Sequence, residues 1–74
     1  SLIDTFETEF GRTLSQNEMQ KISDWNKVTD KRLIIAALRE ASAYQHLNLG
    51  YIEKILSDWK QKNITADSVG VEKK

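Results

Sequence analysis

The chain has 74 residues, which is enough for one small domain with a modest core. It contains no Cys and a single His, so disulfides and zinc sites built on thiolates are excluded. Eleven basic and eleven acidic residues cancel to a formal net charge of 0, which excludes a strongly basic, histone-like polyanion binder.

The first two helices are predicted from apolar spacing and from end signals. Apolar residues recur three and four apart over residues 2–10, the pattern of one helix face, and Gly11 follows as a residue that can end the helix in the left-handed conformation. Ser15 and Glu18 have the spacing of a capping box, in which each side chain accepts a hydrogen bond from the other residue's backbone N–H. A second helix is therefore predicted from this cap to about residue 27, with Val28 as the last candidate for its apolar face.

Two further helices and a tail complete the predicted fold. The third helix begins at a cap on Thr29 or Asp30 and runs to about residue 45, and its centre, residues 33–38, is apolar nearly all round, which is typical of the buried middle of a bundle. The fourth runs from about residue 49 to 62, and residues 65–74 lack any amphipathic period. The sequence thus predicts an all-α fold, a compact bundle of four short helices over residues 1–64 with a flexible C-terminal tail over 65–74.

The fourth helix carries the strongest candidate binding site. Tyr51, Ile55 and Trp59 stand four apart on one drifting stripe, with an aromatic residue at each end and lysines close by. Bases stack on aromatic faces and lysines hold phosphates, so this pattern is typical of a nucleic-acid surface. The alternative is that Ile55 and Trp59 belong to the core, with Tyr51 at its edge, and both interpretations can hold together. The candidate DNA-binding residues are Tyr51, Lys54, Ile55, Trp59, Lys60 and Lys62.

Three other features have a structural or a functional interpretation. Lys27, Lys31 and Arg32 straddle a helix junction, where they either contact phosphates or form a solvated surface. Trp25 lies on the apolar face of the second helix and either packs in the core or forms a partner-binding face. His46 lies at a helix end, where it can stabilise the C-terminal dipole.

Nothing in the sequence indicates catalysis. Glu7 and Glu9 do not face each other on a helix, three isolated glycines cannot form a phosphate-binding loop, and His46 has no catalytic partner at a recognisable spacing. The sequence predicts no enzyme, no cofactor and no metal site. No apolar run reaches the ~18 residues of a membrane span, no signal peptide is visible, and the lack of Cys fits a cytoplasmic protein.

The motifs resemble a known family over about residues 3–66. They are Phe6-Glu-x-x-Phe-Gly11-Arg-x-Leu-Ser15, the helix with Ala36-Ala37-Leu38 and Glu40-Ala41, the short link containing Asn48, and Tyr51-Ile52-x-x-Ile55-Leu56-x-x-Trp59 followed by Lys-x-Lys-Asn-Ile64. Together they resemble the C-terminal domain of the DnaD-like replication initiation proteins, a family that includes the bacterial primosome proteins DnaD and DnaB and many phage replication proteins. The YxxxIxxxW pattern of that family is present in full.

The resemblance implies an all-helical, non-enzymatic domain that binds DNA in replication initiation or restart and helps to bring in the replicative helicase. It maps DNA binding onto Tyr51, Ile55 and Trp59, with Lys60 and Lys62 on the same helix. The chain starts at Ser1 and already looks helical there, which fits a domain cut from a longer protein whose N-terminal domain carries oligomerisation. The tail after Ile64 has basic residues only at Lys73 and Lys74, so weak DNA affinity is expected.

The expected function is a DNA-binding accessory domain of a bacterial or phage replication initiation or primosome protein. Binding to single- or double-stranded DNA is expected to be weak, salt-dependent and nearly independent of sequence, because stacking and phosphate contacts do not read base edges. The alternative is a protein–protein adaptor that recruits the replicative helicase or its loader without touching DNA. The sequence does not distinguish a host role from a phage role.

Overall fold

The computed structural model describes residues 1–67 and contains, within them, four α-helices and no strand. The helices are α1 (Leu2–Phe10), α2 (Gln16–Val28), α3 (Lys31–Ala43) and α4 (Leu49–Gln61). Helix α3 packs against each of the other three. The predicted all-α bundle of four short helices is confirmed. Residues 68–74 of the predicted tail lie outside the described residues, whereas Ala66, near its start, is buried.

Each helix begins where a short polar side chain satisfies a backbone N–H. Ser1, Ser15 and Asn48 each accept a hydrogen bond from the N–H three residues ahead, and the Ser15–Glu18 capping box is present as predicted. Of the two cap candidates for α3, it is Asp30 that accepts, from the N–H of Arg32 at 2.8 Å.

The helix ends follow backbone conformation. Gly11 ends α1 in the left-handed conformation with φ 73°, as its position predicted. Helix α3 ends at Ala43, two residues before the predicted end, because Gln45 has φ 61° and so cannot continue a right-handed helix.

The core is built around α3. Its buried residues include Ile34 and Leu38, and its buried alanines let the neighbouring helices approach closely. The largest side chains that are fully shielded from solvent come from all four helices: Phe6, Ile22, Ile34, Leu38 and Ile52. Trp25 packs against this core, with its ring 6.3 Å from that of Phe6. The placement of Val28 on the apolar face of α2 is wrong: its side chain is 79% exposed, because α2 ends there and Thr29 is extended.

A clamp of charged groups holds the loop between α1 and α2. The Arg12 guanidinium donates to both carboxylate oxygens of Glu18 at 3.0 and 2.9 Å and lies over the Phe10 ring at 5.3 Å. The Glu7 carboxylate accepts from the backbone N–H of Leu14 at 2.9 Å. The hydrogen bonds from Arg12, and next the one from the Ser15 backbone, lower the pKa of Glu18 to about 2.

This clamp predicts a loss of stability in acid. A carboxyl whose folded pKa lies below its unfolded value of about 4.3 stabilises the fold above that value and loses this contribution as pH falls towards its folded pKa. Between about pH 5 and pH 2, the midpoint temperature of thermal unfolding should therefore fall more for the wild type than for Glu18→Gln. The amide still accepts from the Ser15 N–H, so the variant keeps its cap and loses only the titrating charge.

The matched control for this measurement is Glu9→Gln. Glu9 is an exposed carboxylate that makes no ion pair with the described residues. The unfolding midpoint of Glu9→Gln should therefore change with pH as that of the wild type does. Parallel pH curves for the wild type and Glu18→Gln would contradict the assignment.

Candidate nucleic-acid interface

Helix α4 is fixed by a cap at its start and by an apolar face along its length. The Asn48 side chain accepts from the Tyr51 N–H at 2.7 Å, and Ile52 is fully buried against the core. At about 100° per residue, Trp59 lies within roughly 20° of the Ile52 direction and Tyr51 about 100° from it. The stripe Tyr51, Ile55, Trp59 therefore runs from the surface at the first turn to the core at the last, and all three side chains are half-buried.

The lysines of α4 do not share one side of the helix. Lys60 and Lys62 are two residues apart, so their directions differ by about 160° around the axis. Lys54 and Lys62 lie on the same side as Tyr51, and both are exposed. We call this side the Tyr51 flank; it consists of Tyr51, Lys54, Ile55, Asp58 and Lys62. The structure therefore brings together four of the six predicted residues and places Trp59 and Lys60 elsewhere.

The charges of the Tyr51 flank are only partly compensated. The Lys62 ammonium lies 3.2 Å from an Asp58 carboxylate oxygen one turn earlier. Lys54 makes no ion pair with the described residues. Since an exposed pair of this kind contributes only about 0.2–1 kcal/mol, a phosphate can compete with Asp58 for Lys62. The flank carries a net charge of +1 and spans roughly 16 Å from Tyr51 to Lys62 along the axis.

The opposite flank of α4 borders an open groove of about 670 Å³. We call it the junction groove, because it lies between α4, the α2–α3 junction and residues 63–67. The exposed Val28 side chain and Lys60 line it, together with Leu33, Leu56 and Ile64. Charged side chains, among them Asp30, Glu53 and Asp67, line the groove beside these apolar ones, a mixture that suits a protein surface better than a phosphate backbone.

The basic segment at the α2–α3 junction is largely neutralised by neighbouring acids. Lys27 lies 3.6 Å from an Asp24 carboxylate oxygen. Arg32 pairs with Asp30 at 2.9 Å, and its hydrogen bond lowers the pKa of that carboxyl. Lys31 is exposed and makes no ion pair with the residues described. A solvated surface is therefore the interpretation that the contacts favour for this segment.

One contact of Tyr51 was not predicted from the sequence. His46 follows the Tyr44 C-cap of α3 by two residues, and its imidazole packs on the Tyr51 ring with 4.7 Å between centroids and 32° between planes. The signal was present as an aromatic ring two residues before the Asn48 cap and another three residues after it. Such a pair straddles the first turn of a helix much as a hydrophobic staple does.

Residues 1–67 contain neither a metal-ligand cluster nor a helix that could span a membrane. Within this range no group of three or more His, Asp or Glu side chains is placed to hold a metal ion. None of the helices found in it has the length and apolar character needed to cross a bilayer.

Comparison with known proteins identifies a family and a curated relative. Residues 3–66 match the model of a family described as replication initiation and membrane attachment. Over 66 residues, the chain is 38% identical to the replicative helicase loading/DNA remodeling protein DnaD of Bacillus subtilis (strain 168). That alignment covers 86% of this chain but 28% of the relative, so the chain spans little more than a quarter of the relative's length. No solved structure matches the chain.

Proposed function

The chain belongs to the replication initiation and membrane attachment family, and from this premise we propose that it is a DNA-binding accessory domain of a bacterial or phage replication initiation protein. The B. subtilis relative, whose name refers to helicase loading and DNA remodeling, supports a role at the replication machinery. We assign this role to a helical domain over residues 1–64, a C-terminal domain of its parent protein, with 65–74 as its tail. In this proposal the domain catalyses no reaction and requires no cofactor.

The Tyr51 flank is the observation that carries the proposal. It offers an aromatic ring, an ammonium group without an acidic partner among the described residues, and a second ammonium group whose partner is exposed. This is the combination that binds a nucleic-acid strand without reading its sequence: rings stack with bases at roughly 1–3 kcal/mol each and lysines follow the phosphates. Ile55 and Trp59 contribute indirectly, because they pack α4 against the core and so fix the position of the flank.

The small net charge of the flank sets the expected strength of binding. Each lysine that neutralises a phosphate releases counterions, so affinity for a single strand falls with salt by about 0.7 logarithmic units per contact and decade. Two lysine–phosphate contacts therefore predict a shallow dependence of affinity on salt concentration and a weak complex. This agrees with the formal net charge of 0 and with ion pairs at five of the nine Lys and Arg residues within residues 1–67.

The lysines of α4 provide a charge-matched test. Lys54→Ala and Lys62→Ala should each weaken binding to a labelled single-stranded oligonucleotide, and the double variant should lower the salt slope by about 1.4, the value for two lost phosphate contacts. Lys60→Ala removes the same charge from the opposite flank and should change affinity little near physiological salt, where the Debye length is about 8 Å. Fluorescence anisotropy over a salt series measures the affinity of the wild type and of all four variants.

Two results would contradict the proposed surface. Equal weakening by all three single variants would mean that only the overall charge matters. Full binding in the double variant would mean that the Tyr51 flank does not contact DNA. Circular dichroism checks that each variant keeps its helices, as the exposure of the three lysines predicts.

Asp58 supplies a test in the opposite direction. Asp58→Asn removes the carboxylate beside Lys62 and a repulsive charge near the phosphates, so affinity should rise, by up to about fivefold if the exposed pair is worth ~1 kcal/mol. Asp24→Asn is the matched control, because Asp24 forms a similar exposed pair with Lys27 on α2. An equal gain in both variants, measured by anisotropy at low salt, would count against a local effect.

A protein–protein adaptor is the second candidate function, and the junction groove is the observation that favours it. Val28 is a large apolar side chain that stands 79% exposed at the groove, where a partner could bury it. The helicase-loading part of the relative's name makes a replicative helicase or its loader the partner of choice. In the adaptor role, Lys60 lies at the contact with the protein partner, whereas the Tyr51 flank lies outside that contact.

Retention of a purified replicative helicase on the immobilised chain tests the adaptor role. Val28→Asp should abolish retention and leave oligonucleotide binding unchanged, since a charge cannot be buried in an apolar contact without a large cost. Tyr44→Asp replaces another exposed large apolar residue, at the other end of α3, and should retain the helicase. Equal retention of the helicase by the wild type, Val28→Asp and Tyr44→Asp would exclude the groove as the docking site.

A further inference from the structure

His46 and Tyr51 form a two-ring stack whose backbone is held on both sides. The imidazole and phenol centroids are 4.7 Å apart with a 32° tilt, within the range of attractive aromatic pairs. The His46 N–H donates to the Ala41 carbonyl at 2.8 Å, and the His46 carbonyl accepts from the Asn48 N–H at 2.9 Å. The Asn48 side chain in turn accepts from the Tyr51 N–H. The stack is therefore set by the α3–α4 turn before any ligand arrives.

The two rings of the stack differ in exposure. Tyr51 is half-buried and packs against the core, whereas His46 is exposed. His46 is therefore the ring of the pair that is more open to solvent. An exposed ring supported by a second ring that packs on the core is an arrangement to which an unpaired base can add as a third layer.

We propose that His46 and Tyr51 together form a stacking platform for an unpaired nucleobase, an inference that rests on the proposed DNA-binding function and adds His46 to it. In a duplex the faces of a base are covered by its neighbours, so only an unstacked base in a single strand can occupy the platform. Lys54 lies one turn after Tyr51 on the same flank and is placed for the adjoining phosphate. The substrate class is therefore single-stranded DNA, with little preference among bases because every base has a π face.

The test separates base stacking from phosphate binding. A labelled oligothymidylate is compared with an abasic oligonucleotide of equal length, which has the same phosphates and no bases. The wild type should bind the oligothymidylate roughly tenfold more tightly, the effect of one stacked base. His46→Gln should lose most of this preference and leave binding to the abasic strand unchanged.

Two further variants guard against a misfolded or non-specific result. His46→Phe retains a flat ring and should keep the preference for bases. Tyr44→Gln removes an exposed aromatic residue of the same turn that makes no ring contact within the described part of the chain, and it should also keep the preference. Exposure of His46 and Tyr44 predicts that all variants keep the wild-type circular dichroism spectrum.

The outcomes distinguish this inference from the function on which it rests. Equal affinity of the wild type for the two strands would overturn the platform and leave a phosphate-binding surface in place. A preference that persists in His46→Gln, or that disappears in Tyr44→Gln alone, would assign stacking to another ring and overturn the platform as well. Failure to bind either strand at low salt would overturn the proposed function together with the platform.

Discussion

The need to bury α3 on several sides constrains every other part of this domain. A chain of 74 residues has few apolar side chains, and the centre of α3 requires cover from α1, α2 and α4 at once. Ile52 on α4 and Phe6 on α1 provide much of that cover. A helix that must present one face to the core keeps only its two flanks and its outer side for other roles, and this is where the candidate interfaces of α4 lie.

The parts of the fold that could be predicted from sequence are those set by local rules. Helix starts depend on a single side chain reaching a nearby N–H, so Ser15 and Asp30 were recognisable as candidate caps. Helix faces depend on a fixed period, so Ile55 and Trp59 were recognisable as candidates for the core. The end of α3 was harder to predict, because the left-handed conformation has a strong sequence signature only at Gly, and here the residue that adopts it is Gln45.

The candidate site could be predicted only as a set of residues on one helix. Spacing alone places Lys60 and Lys62 in the same turn, yet the side of α4 that each occupies depends on which face α3 covers. The stacking of His46 on Tyr51 depends in the same way on the path of the α3–α4 turn, whereas the pairing of Lys62 with Asp58 follows from their i,i+4 spacing on α4. The ring stack and the side of α4 that each lysine occupies decide how the surface can act, and a linear pattern does not record them.

The separation of Lys60 from the Tyr51 flank has a consequence for assembly. Ligands on opposite sides of α4 would not compete for space, and each would meet its own set of side chains across a helix whose centre is held by Ile52. With no element shared between the two surfaces except a rigid helix, occupancy of one should leave the affinity of the other nearly unchanged, so the coupling free energy would be close to zero. If both proposed surfaces are used, the domain would work as a passive bridge: it would raise the local concentration of a protein partner near a DNA strand without either ligand acting as an effector of the other.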